Sequence, residues 1–201
     1  MHESKRKTPV QRRAVRTFES LLDAAAQVLQ NDGEARFTTN RVAEAAGFSI
    51  GTLYQYFPDK NAIAEALARR ECVRIETALR QAIAKAKPND LEALIRSVVV
   101  TIVDALGGRP KARKFLIVQA TRLGLGQAAA TVQNTVGMFF IEALVASGRY
   151  QVRHLSDAAI FVLTRTLVGA VRGAVLEESP LLKTRAFEDE LVQLALRFVR
   201  P

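Results

Sequence analysis

Residues 37–60 read FTTNRVAEAAGFSIGTLYQYFPDK, and two short helices joined by a tight turn can be drawn through them without strain. Thr38 or Thr39 is placed to cap the first helix, with Val42, Ala43 and Ala46 facing inward. Gly47 supplies the left-handed residue that ends it. Ser49 then caps the second helix. Ala45 and Ala46 are small enough to let a partner helix approach, and a glycine-containing turn is common between the helices of a helix-turn-helix. The second helix, expected over residues 50–57, is too brief to be stable alone and must be held by packing through Leu53 and Phe57. Its other face is then left to solvent. That face offers Ser49, Gly51, Thr52, Tyr54, Gln55 and Tyr56, short or flat groups able to hydrogen-bond phosphates and base edges in a major groove. Gly51 also lets the backbone come close.

Charge extends the same reading outward. The chain has a net charge of +9, and residues 1–16 hold six basic residues against the single acid Glu3, whereas residues 17–60 hold three against six. Such a run can be a solvated tail, but here it lies immediately before a candidate groove reader. Arg12 and Arg13 are placed to hold the DNA backbone or enter a minor groove, as basic arms do. Lys60 opens the following helix, where the helix dipole disfavours a cation unless an anion such as a phosphate is present; Asp59 as N-cap partly offsets this. A plain helical hairpin with surface-packed tyrosines is the competing reading of residues 37–60. It leaves the coincidence of two outward tyrosines, a capped short helix and a basic arm without a cause.

The segment resembles the signature of the tetracycline-repressor-like (TetR/AcrR-type) transcriptional regulators: a threonine-led helix, Ala46-Gly47, then Gly51-Thr52-Leu53-Tyr54, two residues, an aromatic and Lys60. The likeness covers roughly residues 10–75; beyond them only the length and the succession of helices agree. It implies a first helix bracing a DNA reader, with a larger ligand-binding and dimerising domain behind it. By motif position, Thr38, Thr39, Thr52, Tyr56 and Lys60 would contact phosphates, and Ile50, Gly51, Tyr54 and Gln55 would approach bases or sugars. Ile50 departs from the pattern, being apolar where many relatives carry a polar reader; it remains able to touch a thymine methyl.

The remaining chain reads as all-α. Apolar residues recur at three- and four-residue steps and no long alternation suggests a strand. About nine helices are expected, in two domains: residues 1–60, the helix-turn-helix with its basic arm, and residues 61–201, a helical ligand-binding and dimerisation domain. The first helix opens with Thr8 as cap and Pro9 at its first position, Gln11 closing a capping box, and stops at Asn31-Asp32-Gly33. A long helix runs over residues 59–87 with Cys72 inside its apolar stripe. Asp90 caps the next, which ends at Gly107-Gly108. Helices follow over residues 109–123, 127–147 and 156–178, with Pro180 closing that last one, and a final helix starts near Thr184. The charge-free run 123–141 is about as long as a membrane span. Its polar interruptions make it an interior helix, with no membrane partner expected.

A single short reader covers few base pairs, so specificity calls for a homodimer on a pseudo-palindromic operator, its half-sites ~34–36 Å apart. Thr166, Gly169, Ala170, Gly173 and Ala174 form a small-residue face, and Phe187, Leu191, Leu194 and Phe198 a stripe on the last helix. Together they suit a four-helix interface, or packing within one subunit. Phe115, Gln119, Asn134, Met138 and Phe139 suit a largely apolar pocket for a small-molecule effector, and equally a core. Arg165 and Arg172 share one face of an apolar helix. They call for an anionic partner, either Glu142 or Glu177, or an anionic ligand. Two histidines, one cysteine and no phosphate-binding loop leave an enzyme without machinery, and no metal or cofactor is expected. The absence of an apolar leader after Met1 and the single cysteine suggest a cytoplasmic protein. The expected function is a repressor released from DNA by a ligand; the alternative is a ligand-independent architectural DNA-binding protein.

Overall fold

In the computed structural model the described residues are 9–85, 90–122 and 152–201, and among them there are eight α-helices and no strand. The chain divides into two compact units, Met1–Leu67 and Ala68–Pro201, each described separately below.

In the first unit, α1 (Pro9–Asn31) begins on a proline whose missing N–H costs nothing at that position. Leu21, Leu22, Ala25, Val28 and Leu29 recur on one face and are all buried. The helix stops where the N–H groups of Asp32 and Gly33 both return to the Val28 carbonyl, with Gly33 at φ 79°. A single 3-10 turn, Glu34–Arg36, leads to α2 (Thr39–Ala46) and α3 (Ile50–Tyr54). α1 packs on α2 and α2 on α3, while Ile63, Ala64 and Leu67 from the start of the next helix are also buried.

The second unit holds the rest of α4 (Lys60–Lys85), then α5 (Leu91–Gly107), α6 (Pro110–Arg122), α7 (Asp157–Leu176) and α8 (Arg185–Val199). Asp90 caps α5 by accepting from the Ala93 N–H at 2.9 Å, Ser156 caps α7 through Ala159, and Thr184 caps α8 through Phe187. α5 is the centre of the unit. Leu94, Ile95, Val98, Val99, Ile102, Val103 and Leu106 are buried along it, against Leu163, Leu167 and Val171 of α7 and Val192, Leu196 and Val199 of α8. Burying such a side chain stabilises the fold by about 1.5–3 kcal/mol, so this one helix anchors the unit. α7 is long and apolar enough to cross a membrane by length and composition, and its apolar face lies in this core. It ends two residues short of the expected 178. Glu178 takes a left-handed φ of 54°, and Pro180–Lys183 forms a 3-10 turn. The expected helix over 127–147 and the apolar run 123–141 lie outside the described residues.

Candidate nucleic-acid interface

The geometry of residues 37–60 follows from two cap hydrogen bonds, one left-handed glycine and two buried side chains. Thr38, extended at φ −126°, accepts the Arg41 N–H at 3.2 Å, so it is the cap and Thr39 the first helical residue. Gly47 ends α2 at φ 72°, a conformation costing any residue with a Cβ about 1–2 kcal/mol. Ser49 accepts the Thr52 N–H at 3.1 Å and starts α3. Leu53 and Phe57 are 0% and 2% exposed. α3 is shorter than the expected 50–57: it ends at Tyr54, after which the Tyr56 and Phe57 N–H groups both return to the Leu53 carbonyl. Pro58 explains the early stop, because the residue before a proline is driven out of the helical region.

Burial of Leu53 turns the opposite side of α3 outward. Tyr54 is 52% exposed and Ile50 37%, and Ser49, Gly51, Gln55 and Lys60 are exposed beside them in sequence. Thr52 is half-buried, its hydroxyl 2.9 Å from that of Ser49. Tyr56 departs from the expected outward pair: it is half-buried, its ring centroid 6.3 Å from that of Phe18. Phe18 also lies 5.1 Å from Phe57, so α1 braces the segment after α3 through an aromatic side chain. Arg12 and Arg13 are exposed within α1 itself.

Two contacts escaped the reading of the sequence. The Thr39 hydroxyl lies 3.4 Å from the Tyr54 hydroxyl, linking the start of α2 to the end of α3. Arg41 donates to Asp32 at 2.8 Å and to Glu44 at 3.0 Å, tying α2 to the end of α1. Its hydrogen bonds to Asp32 first, then to Glu44, hold the Arg41 guanidinium above its ordinary value. The Arg41–Glu44 spacing of three is a helical pairing signal, but the bond to Asp32 depends on how two helices cross. Arg41 is thereby engaged within the protein.

The expected effector pocket is only partly within view. Phe115 is buried in α6 and Gln119 belongs to the same helix, while Asn134, Met138 and Phe139 lie outside the described residues. Arg165 is half-buried, not enclosed, with its guanidinium 4.5 Å from the centre of the Phe161 ring. A cation over a ring face is stabilised there, and Glu142, one of the anionic partners expected for the two arginines, lies outside the described residues. Arg172 is likewise half-buried.

Residues 21–67 match the family of bacterial regulatory proteins of the tetR family. The nucleoid occlusion factor SlmA of Actinobacillus pleuropneumoniae is 36% identical over 87 residues, covering 42% of this chain and 41% of that protein. The chain thus aligns with about two-fifths of that relative's length. Among solved structures, a TetR-family transcriptional regulator from Mesorhizobium loti is similar at a TM-score of 0.74 and 17% identity, covering 94% of this chain and 99% of that one. The fatty acid degradation regulator FadR from Bacillus halodurans is similar at a TM-score of 0.65 and 21% identity, covering 96% and 97%. The family match lies within the first unit, and the fold of the chain is similar to that of solved TetR-family regulators.

Proposed function

We propose that the chain is a sequence-specific DNA-binding transcriptional repressor, released from its operator by a small, largely apolar effector. One observation carries the reading: α3 buries Leu53 fully and turns Ile50, Gly51, Tyr54 and Gln55 toward solvent on a backbone pinned by two hydroxyl caps. In this reading Thr38, Thr39, Thr52, Tyr56 and Lys60 hold phosphates, and Ser49, Ile50, Gly51, Tyr54 and Gln55 approach base edges. Arg12 and Arg13 add backbone contacts from α1. The half-burial of Tyr56 suits a hydroxyl held in one place more than a mobile base reader.

The protein acts as a cytoplasmic homodimer, presenting two readers to a pseudo-palindromic site. Support comes from α7, which exposes Phe161 and Val162 at 58% and 51%, and from Leu194 on α8 at 39%. Gly169 has open space where a side chain would stand. Exposed apolar groups on neighbouring helices are costly unless a partner covers them. Ligand-independent binding to DNA is the second reading, and the similarity over 87 residues to a protein named for nucleoid occlusion favours it.

Selection of bound fragments from a random duplex pool separates the two. Enrichment of an inverted repeat with half-sites about one helical turn apart supports a repressor. Retention of duplex without any enrichment supports the second reading, and no retention at low salt contradicts both.

A further inference from the structure

The second unit contains a cleft of about 470 Å³ between α4, α5 and α6, lined by Glu71, Arg74, Ile75, Ala78, Thr101, Asp104, Ala105, Gly108, Arg109 and Arg113. Its volume lies within the ~300–1,000 Å³ of small-molecule sites. Of the residues expected to form the effector pocket, Phe115 and Arg165 are not among its lining residues.

Its charge is out of balance. Arg113 and Glu71 form an ion pair whose side chains are 14% and 12% exposed. Glu71 also meets Arg74 at 3.1 Å and Arg70 at 3.9 Å, so three guanidiniums gather around this carboxylate. Arg109 precedes Arg113 by one helical turn, is exposed, and makes no ion pair among the described residues. Burial pushes the Arg113 guanidinium below its ordinary value and the charge of Arg109 pushes it the same way, with Glu71 opposing. A half-buried cation beside a second cation is stabilised by an additional anion, and guanidinium pairs receive carboxylates with two parallel hydrogen bonds. Ile75, Ala78 and Ala105 supply apolar wall in the same cleft. Asp104, exposed at the same cleft, is the one acid besides Glu71 among the described lining residues.

We propose that this cleft binds a small organic carboxylate, its acid group held by Arg109 and Arg113 and its apolar body laid against Ile75, Ala78 and Ala105. The proposal rests on the reading of the chain as a ligand-responsive regulator and gives the effector a chemical class and a place. An inorganic anion satisfies the cations but leaves the apolar wall uncovered, and a neutral amphiphile does the reverse. Both halves of the ligand are therefore required.

The full chain is titrated in a calorimeter with hexanoate and benzoate, with 1-hexanol as the uncharged counterpart and inorganic phosphate as the anion without an apolar body. Saturable binding of at least one carboxylate is expected, with neither 1-hexanol nor phosphate matching it. Arg109→Gln should weaken carboxylate binding about tenfold or more, and Asp104→Asn should strengthen it, both with wild-type helix content by circular dichroism. Opposite signs at two exposed positions are not produced by a general loss of packing. Failure of both carboxylates to saturate, equal affinity in Arg109→Gln, weaker binding in Asp104→Asn, or phosphate binding as well as hexanoate would each overturn the site. Retention of duplex DNA by the same preparation is measured in parallel. A protein that holds DNA but ignores carboxylates overturns only the cleft, and one that binds carboxylates but no DNA overturns only the repressor reading.

Discussion

Leu53 and Tyr54 are adjacent in sequence and opposite in environment, one with no accessible surface and the other half in solvent. Leu53→Ala should cost about 2–5 kcal/mol of stability by denaturant unfolding, as a fully buried leucine does when truncated. Tyr54→Ala should leave stability within about 0.5 kcal/mol of wild type, because the ring supports no core. Cys72 belongs to the same scale. Burial pushes its thiol above its ordinary value, with Arg113 opposing and Glu71 adding. Less thiolate forms at any given pH, so native Cys72 should react with a thiol reagent at pH 8 about tenfold or more slowly than the unfolded chain. Equal rates would contradict that environment. Single residues were legible from the sequence where their chemistry is local. Thr38, Gly47 and Ser49 act on their own backbone within four residues, and each sits as its type dictates. The Thr39–Tyr54 and Arg41–Asp32 contacts were not legible, because both depend on the packing of separate helices.

At the scale of elements, α3 is a five-residue helix that exists by virtue of its cap, its two buried anchors and the turn before it. Ser49→Ala removes the acceptor for the Thr52 N–H and should cost about 1 kcal/mol in thermal or denaturant unfolding. Gly47→Ala forces a Cβ into the left-handed region and should cost about 1–2 kcal/mol, although no atom stands in its way. A negligible effect at Gly47 would mean that the turn relaxes freely. Helix positions were readable because caps and apolar spacing are carried by neighbouring residues, as at Asp90, Ser156 and Thr184. The ends were less so: Pro58 shortened α3, and the left-handed Glu178 ended α7 early. The cleft at Arg113 was missed because Glu71 and Arg113 are 42 residues apart and belong to different helices.

For the whole molecule, the two units have different work in this account. The first offers the proposed reader, and the second offers a covered core, an exposed apolar face on α7 and a charged cleft. Light scattering should give twice the 22.1 kDa chain mass at micromolar concentration, and Phe161→Glu should return it to the monomer, since a charge in a contact between subunits is costly. A wild-type monomer would remove the basis for a palindromic site. The most direct measurement compares Tyr54→Ala with Lys60→Ala on a selected duplex and on random DNA across a salt series. Lys60→Ala should weaken both duplexes alike and flatten the salt dependence by about one unit, whereas Tyr54→Ala should lower affinity for the selected duplex alone by about 5- to 150-fold, the ~1–3 kcal/mol of one base contact. Equal losses on both duplexes for Tyr54→Ala, or none, would contradict the assignment of α3 as the element that reads DNA.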